Sequence, residues 1–231
     1  MRDGGQGGVR PEEVSALILA AGKGERLGNR AKAFVMVGAV TLVERVVAMV
    51  KPHASEILVG LLPDHVDKGR RLLGSSQVTV VAGGVTRQET VTRLLARATL
   101  PLVLIHDVAR PCVTSGLFAK VLSASKEHGA ATLYLPVRRR DQLALRDGDS
   151  LGASLSSEGV IRLQTPYAYR REILLDADRQ GNEQRWIEAS TTSLVVRAGY
   201  RVHLVRGTPE NVKLTYPEDW DAVETQIDTS S

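Results

Sequence analysis

Residues 17–34 read LILAAGKGERLGNRAKAF, an apolar segment followed by glycines and basic residues. The segment continues the apolar run VSALILAA at 14–21, whose length is typical of a buried β-strand. A glycine-rich turn follows the run at once, and the backbone N–H groups of such a turn can bind a phosphate. Arg26 and Lys32 add two positive charges just after the turn. The sequence therefore predicts a strand that leads into an anion-binding loop.

Two common nucleotide-binding motifs do not fit this turn. The chain contains no G-x-x-x-x-G-K-[ST] string, which a P-loop needs. Gly22, Gly24 and Gly28 are spaced G-x-G-x-x-x-G, one residue longer than the dinucleotide fingerprint. That fingerprint also needs an acidic residue about 20 positions on, but Glu44 lies in a predicted helix and Asp64 comes too late. A dehydrogenase is therefore disfavoured. Nucleotidyl transfer, in which a protein mainly positions phosphates and neutralises their charge, fits better.

Strand and helix patterns alternate along the rest of the chain. Apolar runs predict further strands at 57–62, 77–81, 102–105, 130–137 and 202–205, and a short strand around Lys213 at 211–215. Helices are predicted at 41–50 and after Thr86, both opened by capping boxes (Thr41 with Glu44, Thr86 with Glu89), and at 116–128, from near Arg170 and after Thr215. This alternation predicts an α/β protein with a Rossmann-like three-layer α/β/α fold and a mostly parallel sheet.

The segment 138–163 interrupts the alternation. It is rich in charged residues, Gly and Ser and lacks a helical pattern, which predicts a projecting β-arm. A single domain is then expected to span 14–226. Residues 1–13 and 227–231 are expected to be tails, the first of them flexible.

The composition excludes several classes of protein. Hydrophobic residues make up 43% and charged residues 24% of the 231 residues, unlike a disordered chain. The net charge of +4 is too small and too scattered to indicate nucleic-acid binding. No apolar run reaches the roughly 18 residues of a membrane helix, and the single cysteine, Cys112, cannot form an internal disulfide. Because the first residues also lack an apolar export segment, a cytoplasmic chain without a membrane partner is expected.

Five further strings, in this order along the chain, carry a resemblance. They are GGVTRQET from Gly83, IHDVARP from Ile105, LPV from Leu135, LQTP from Leu163 and, after Gly207, NVKLT from Asn211, followed by PED. Together with the glycine turn and Lys32, they resemble the sugar-phosphate nucleotidyltransferases. Within that superfamily the chain resembles the 2-C-methyl-D-erythritol 4-phosphate cytidylyltransferase family, over residues 14–226.

The resemblance implies which residues bind the nucleotide. In that family the glycine loop holds the phosphates of CTP, two cations stabilise the transition state, and a double glycine with a hydroxyl contacts the cytosine. The matching nucleotide-binding residues here are Ala20, Ala21, Gly22, Gly24, Gly83, Gly84 and Thr90, and the catalytic cations are Arg26 and Lys32. The family more often has serine at the position of Thr90.

The resemblance also implies an acceptor side and a cofactor. Asp107 would lie beside the metal and the sugar phosphate with Arg110 close by, Thr165 near the incoming phosphate, and Lys213 would orient that phosphate. Mg²⁺ is the expected cofactor, bound mostly through nucleotide phosphates and water, with Asp107 as the candidate protein ligand. Taken by residue type alone, an Asp at a strand end is as often a cap or turn residue, and a lone strand lysine usually points to solvent. His106 is expected to be structural.

Several positions depart from the family pattern. Ala31 replaces a proline before the lysine, and Ser157 replaces an arginine eight residues before the QTP threonine. The run Arg138–Arg140 stands where the family has Asp-Thr, and Ser190, Thr191 and Thr192 replace a Thr-Asp-Asp stretch. In the family these arm positions hold the methylerythritol phosphate across a dimer interface. Either the arginine run, with Arg140 as a substrate ligand, supplies the missing phosphate-binding charge, or its side chains are simply solvated.

The expected activity is therefore an Mg²⁺-dependent transfer of CMP from CTP to a polyol phosphate, with 2-C-methyl-D-erythritol 4-phosphate as the preferred acceptor. A homodimer joined through the 138–163 arm is implied by the same resemblance. Two alternatives stay open at this point. One is a cytidylyltransferase for ribitol 5-phosphate or another polyol phosphate, and the other is a catalytically impaired protein that binds CTP.

Overall fold

The computed structural model describes residues 8–24, 26, 31–138 and 141–228. Its strands are β1 (Val14–Ala20), β2 (Met36–Val37), β3 (Val40–Thr41), β4 (Glu56–Leu61), β5 (Val78–Ala82), β6 (Leu102–Asp107), β7 (Ala130–Pro136), β8 (Leu143–Asp147), β9 (Ser150–Leu155), β10 (Ile161–Arg170) and β11 (His203–Arg206). Its α-helices are α1 (Leu42–Val50), α2 (Val66–Leu73), α3 (Arg87–Leu95), α4 (Ser115–His128), α5 (Arg171–Glu183), α6 (Thr191–Arg197) and α7 (Asp219–Asp228). No helix in these residues is long and apolar enough to span a bilayer.

A seven-stranded sheet organises the fold, in the order β11-β7-β10-β6-β1-β4-β5. Strand β10 runs antiparallel to its neighbours β6 and β7, and the remaining neighbours pair in parallel. The predicted mostly parallel sheet is therefore confirmed. Strand β1 lies between β4 and β6, and all seven of its residues are buried.

The alternation of side chains in β1 divides the core into two layers. Ala16 and Ile18 belong to the cluster that packs against α1, α2, α4 and α7. Leu17 and Leu19 point to the opposite face and belong to the cluster formed with α3, α5 and α6. Because successive side chains of a strand point to opposite faces, one apolar strand supports helices on both sides. The predicted three-layer α/β/α arrangement is confirmed.

The two predicted capping boxes have different outcomes. Thr41 and Glu44 cap α1 reciprocally: the Thr41 Oγ1 accepts from the Glu44 N–H, and the Glu44 carboxylate accepts from the Thr41 N–H at 2.8 Å. At α3 the Thr86 hydroxyl accepts from the Glu89 N–H at 3.0 Å, but the Glu89 carboxylate accepts from the N–H of Val85 instead, at 2.7 Å. The second prediction is therefore correct only for the threonine half of the box.

Two strand predictions need correction. The short strand expected at 211–215 does not form: among the described residues, one backbone bond, from the Leu214 N–H to the Ala109 carbonyl at 2.8 Å, joins this segment to a distant part of the chain. Strand β10 is a strand that the sequence patterns do not predict, and it contains Pro166, although prolines are normally excluded from the middle of a sheet. The register of β10 against β7 shifts between Gln164 and Tyr167, which accommodates the cis Thr165–Pro166 peptide.

The segments at the predicted domain boundaries differ from the expected tails. Residues 8–13 contact the domain: the Ser55 N–H donates to the Pro11 carbonyl at 3.0 Å, and Lys126 pairs with Glu13 at 3.2 Å. At the other end α7 extends to Asp228, and Ile227 is buried. Residues 1–7 and 229–231 lie outside the described residues.

Strands β8 and β9 form a separate two-stranded sheet within the segment expected to be an arm. Leu145, Leu151 and Leu155 on this hairpin are exposed. That the hairpin projects as a dimerisation arm stays a prediction.

Two adjacent valines of α6 provide a matched test of the second helical layer. Val195 is fully buried, whereas Val196 is 55% exposed. We expect Val195→Ala to lower the free energy of unfolding by roughly 2 kcal/mol, because it removes buried methyl groups and leaves a cavity. Val196→Ala should change it by less than about 0.5 kcal/mol. Chemical denaturation followed by circular dichroism measures both, and equal losses would contradict the packing of α6 against the sheet.

Candidate active site

A cleft of about 660 Å³ opens where the carboxyl ends of β1, β5 and β6 meet. Strand β4, which follows β1 in the sheet order on one side, and β6, on its other side, are reached by connections that run in opposite directions across the sheet. Ligands of open α/β sheets bind where the strand order reverses in this way. The lining brings together ten of the predicted site residues: Ala21, Gly22, Gly24, Arg26, Lys32, Gly83, Gly84, Thr90, Asp107 and Lys213. Ala20, Arg110 and Thr165 lie behind the surface and are almost fully buried, and Arg140 lies outside the described residues.

Two glycines allow the loops of the cleft to approach each other. Gly24 has a φ of +69°, a left-handed conformation that residues with a Cβ rarely adopt. A Cβ on Gly83 would lie 2.6 Å from the Cβ of Ala21 and 3.2 Å from the Leu61 carbonyl oxygen. The first glycine turn and the Gly83–Gly84 turn are therefore in close contact and form one continuous wall of backbone.

The predicted cations are held by the segment that follows Asn211. The Lys32 ammonium donates to the Leu214 carbonyl at 2.9 Å, and the Arg26 guanidinium donates to the Tyr216 hydroxyl at 3.1 Å. The guanidinium also lies 5.0 Å from the centre of the Tyr216 ring. Burial, and then the charges of Lys213 and Arg26, lower the pKa of Lys32. A bound polyanion would offset that repulsion, so the cleft is electrostatically suited to phosphates.

Asp107 lies at the end of β6 between two cations. One carboxylate oxygen accepts from the Arg87 guanidinium at 3.1 Å, and the other accepts from the Lys213 ammonium at 3.0 Å. Arg87 also donates to the Thr191 hydroxyl at 3.0 Å. Burial alone would raise the pKa of Asp107, but Arg87 and Lys213 outweigh it and hold that pKa well below its ordinary value. Asp107 is therefore an anion near neutral pH.

Buried residues next to Asp107 form hydrogen bonds that support the lining of the cleft. The Asp107 N–H donates to the Thr165 hydroxyl at 3.2 Å, and the side-chain amide of Asn211 donates to the Thr165 carbonyl at 2.9 Å. Arg110, expected near the acceptor, donates to the Asn211 carbonyl at 2.6 Å. The predicted substrate roles of Thr165 and Arg110 stay predictions, because these contacts are with the protein itself.

His106 has the structural environment expected for it. It is fully buried, and its Nε2 lies 3.0 Å from the Arg110 carbonyl, to which it donates. Burial lowers the pKa of His106 to about 4, so the ring is neutral near pH 7.

The Gly83–Gly84 turn is fixed by two side chains of α3. The Thr90 hydroxyl donates to the Thr86 carbonyl at 3.0 Å and accepts from the Gly84 N–H at 3.0 Å. Arg93 donates to the Gly83 carbonyl at 2.9 Å. Because the Thr90 proton is already committed, its oxygen can only accept a further hydrogen bond.

The cleft offers little protein coordination to a metal ion. Asp107 is the one carboxylate among the described residues that line it, and no group of three or more His, Cys, Asp or Glu residues in the described ranges could hold a metal. This donor set does not suit an all-protein cage. It fits an ion such as Mg²⁺ that arrives on a nucleotide, takes one carboxylate and keeps phosphate oxygens and water as its other ligands.

Sequence reasoning missed Arg87, Arg93 and Tyr216. Arg87 and Arg93 lie in or near the GGVTRQET string, but only the folded chain shows that one meets Asp107 and the other Gly83. The structure also shows the contacts of residues 190–192, which depart from the family pattern. Ser190 caps α6, Thr191 contacts Arg87, and Thr192 lies 2.9 Å from the hydroxyl of Tyr169.

Comparison with known proteins agrees with this geometry. The family model described as "IspD: 2-C-methyl-D-erythritol 4-phosphate cytidylyltransferase" matches residues 14–228. The chain is 43% identical over 209 residues to the 2-C-methyl-D-erythritol 4-phosphate cytidylyltransferase of Thermus thermophilus, covering 90% of this chain and 93% of the relative. It is 38% identical over 206 residues to the Deinococcus radiodurans protein of the same name, covering 89% and 86%.

A solved structure shows the same relationship in three dimensions. The crystal structure of 2-C-methyl-D-erythritol 4-phosphate cytidylyltransferase from Thermus thermophilus superimposes with a TM-score of 0.79 at 36% identity, over 94% of this chain and 99% of that one. With the match of the family model over nearly the whole chain, this leads to one conclusion: the chain belongs to the 2-C-methyl-D-erythritol 4-phosphate cytidylyltransferase family.

Proposed function

We propose that this protein transfers CMP from CTP to 2-C-methyl-D-erythritol 4-phosphate and releases pyrophosphate, a step in the synthesis of isoprenoid precursors. The observation that carries the proposal is the convergence of Arg26, Lys32 and Lys213 on a cleft walled by two glycine turns. An acceptor phosphate oxygen attacks the α-phosphorus of CTP, and the bond from that phosphorus to the bridging oxygen of pyrophosphate breaks. Negative charge accumulates on the phosphate oxygens during the transfer, and these three cations would stabilise it.

The cations have separate parts in this reaction. Arg26 and Lys32 follow the first glycine turn, so they would neutralise the triphosphate and the departing pyrophosphate. Lys213 lies across the cleft beside Asp107 and would orient the acceptor phosphate for attack. No protein nucleophile is required, because the acceptor brings its own.

Mg²⁺ is the proposed cofactor. When bound, it would neutralise part of the charge on the nucleotide phosphates. Asp107 is the cleft residue able to contact it. A cytoplasmic location stays a prediction.

The base-binding end of the cleft favours cytosine. Thr90 can only accept a further hydrogen bond, since its proton is donated to the Thr86 carbonyl. Cytosine presents an amino group at C4, which donates, whereas uracil presents a carbonyl, which accepts. Two acceptors facing each other repel, so Thr90 would help the site to bind CTP and reject UTP.

The homodimer is part of the same proposal. The β8–β9 hairpin pairs with no other strand in the described chain, and isolated hairpins are at best marginally stable in water. Its exposed leucines, with Leu151 at 81%, would be covered by a second copy of the chain.

The acceptor itself is the first point to test. Pyrophosphate release should be measured with CTP and, in separate reactions, 2-C-methyl-D-erythritol 4-phosphate and ribitol 5-phosphate. We expect the first acceptor to give the higher kcat/KM. A preference for ribitol 5-phosphate would show that the changes at Arg138 and Ser157 have altered the acceptor. CTP binding without turnover on either acceptor would contradict the proposed activity and identify an impaired homologue.

Lys32→Met tests the phosphate cradle. It keeps much of the side-chain volume and removes the charge, and we expect kcat/KM to fall roughly 100-fold or more, as when a single stabilising donor is lost. Lys120→Met on the exposed face of α4 is the control and should leave the rate unchanged. If both variants keep full activity, the cradle formed by the glycine turn and its cations does not act in the transfer.

Thr90→Val tests whether Thr90 discriminates between cytosine and uracil. The substitution keeps the shape of the side chain but removes its oxygen, so the KM for CTP should rise on the order of tenfold while the already high KM for UTP changes little. Thr90→Ser restores the hydroxyl and should keep the preference for CTP. Equal changes for both nucleotides would mean that Thr90 supports the turn and does not discriminate between bases.

Leu151→Asp tests the dimer. We expect wild-type protein to sediment as a dimer and this variant as a monomer, because a carboxylate would be buried in the interface. Ile187→Asp changes an equally exposed apolar residue, 91% accessible, on another surface and should leave the dimer intact. The opposite result, or a monomeric wild type, would contradict assembly through the hairpin.

A further inference from the structure

The ion pairs of Asp107 give Arg87 a part in the reaction. We propose that Arg87 is a positioning residue that stays paired with Asp107 throughout the reaction. Because Arg87 remains, Lys213 can leave Asp107 and bind the acceptor phosphate. The inference rests on the proposed transfer. It adds Arg87 as a residue that acts through Asp107 and does not contact either substrate.

Asp107 cannot lose both cations. Its side chain is only 11% exposed, and a buried carboxylate without a partner is unfavourable by several kcal/mol. Each of its oxygens is paired with a different cation, Arg87 on one and Lys213 on the other. If Lys213 were its only ion-pair partner, moving the ammonium to a substrate would leave the carboxylate without a counter-ion from the protein. With Arg87 in place, one cation can leave while the other remains.

The two cations differ in how firmly they are held. Arg87 is the first residue of α3, donates to Thr191 on α6 and has its guanidinium 5.7 Å from the centre of the Tyr167 ring. Its planar group therefore bridges two elements while it contacts the carboxylate. Its side chain is 31% exposed, against 45% for Lys213.

Lys213 is the cation that is free to move. It lies in a segment without regular structure, and within the described residues its ammonium hydrogen-bonds to Asp107 alone. A flexible four-carbon side chain can swing to a nearby phosphate without a change in the backbone. Arg87 therefore stays with Asp107 while Lys213 turns toward the acceptor.

The consequence is specific to one substrate. Without the charge of Arg87, Lys213 becomes the one residue in the described ranges that forms a direct ion pair with Asp107, and it is held there more strongly. Binding of the acceptor phosphate then has to compete with that ion pair. Binding of CTP by the glycine turns, Arg26 and Lys32 does not.

Steady-state kinetics of Arg87→Gln test this directly. We expect the KM for the acceptor to rise at least tenfold while the KM for CTP changes less than twofold, and Arg87→Lys to recover most of the loss. Arg70→Gln, which removes an arginine from an exposed pair with Asp67, is the control. If Arg87 only ties α3 to α6, both KM values or stability alone will change, and Arg87→Lys will not restore the acceptor KM.

A double variant separates action through Asp107 from other effects. In the Asp107→Asn background there is no carboxylate to neutralise, so adding Arg87→Gln should change the acceptor KM less than twofold further. A loss as large as in the wild-type background would overturn the proposal.

A last measurement does not depend on turnover. The dissociation constant of 2-C-methyl-D-erythritol 4-phosphate can be measured by isothermal titration calorimetry in the absence of CTP. We expect it to rise at least tenfold in Arg87→Gln and to be restored by Arg87→Lys. An unchanged dissociation constant in Arg87→Gln would overturn the inference. A wild type that releases no pyrophosphate with any acceptor would refute the proposed function but leave this result interpretable.

Discussion

The buried carboxylate of Asp107 constrains the architecture of the site more than any other group. Its charge has to be matched, and the matching cations come from α3 and from the segment after Asn211, far apart in the chain. Its backbone N–H is fixed in turn by Thr165 on β10. Three parts of the chain are therefore held around the carboxyl end of β6. Strand pairing and apolar packing position β10 and α3, and the charge of Asp107 is then matched by the cations that lie next to it.

The remaining cations are arranged for a ligand with more negative charge than the protein provides. Burial and neighbouring cations lower the pKa of Lys32, which shows that the site is unfavourable for its own charges. A triphosphate that binds between the cations reduces this repulsion. The free protein therefore already holds the positive charges that would stabilise the bound triphosphate. The tethers of Lys32 to Leu214 and of Arg26 to Tyr216 keep both side chains near the place where the phosphates would bind.

Most of the sheet and the glycine turn after β1 could be predicted from the sequence because local patterns encode them, whereas the nucleotide roles of Gly83, Gly84 and Thr90 follow from the family resemblance and stay predictions. The apolar run of β1, the glycine turn and the Thr41–Glu44 cap each lie within a few residues. Strand β10 was missed because Pro166 breaks its pattern, and the strand expected around Lys213 is absent because it lacks a ladder partner. Contacts such as Arg26 with Tyr216 join residues 190 positions apart, which no local pattern records. The resemblance implies roles for Asp107 and Lys213 but none for Arg87, whose contact with Asp107 is visible only in the folded chain.

The unusual stretch Ser190–Thr192 can be understood through the same ion pair. Thr191 accepts a hydrogen bond from Arg87 with a neutral oxygen, so the full charge of the guanidinium remains available to Asp107. A carboxylate at this position would compete with Asp107 for Arg87 and would leave Asp107 more dependent on Lys213. In the role proposed for Arg87, a neutral residue at 191 would leave Lys213 free to turn toward the acceptor phosphate. On this view the departure from the family at 190–192 lies in the support of the acceptor site, one contact removed from the substrate.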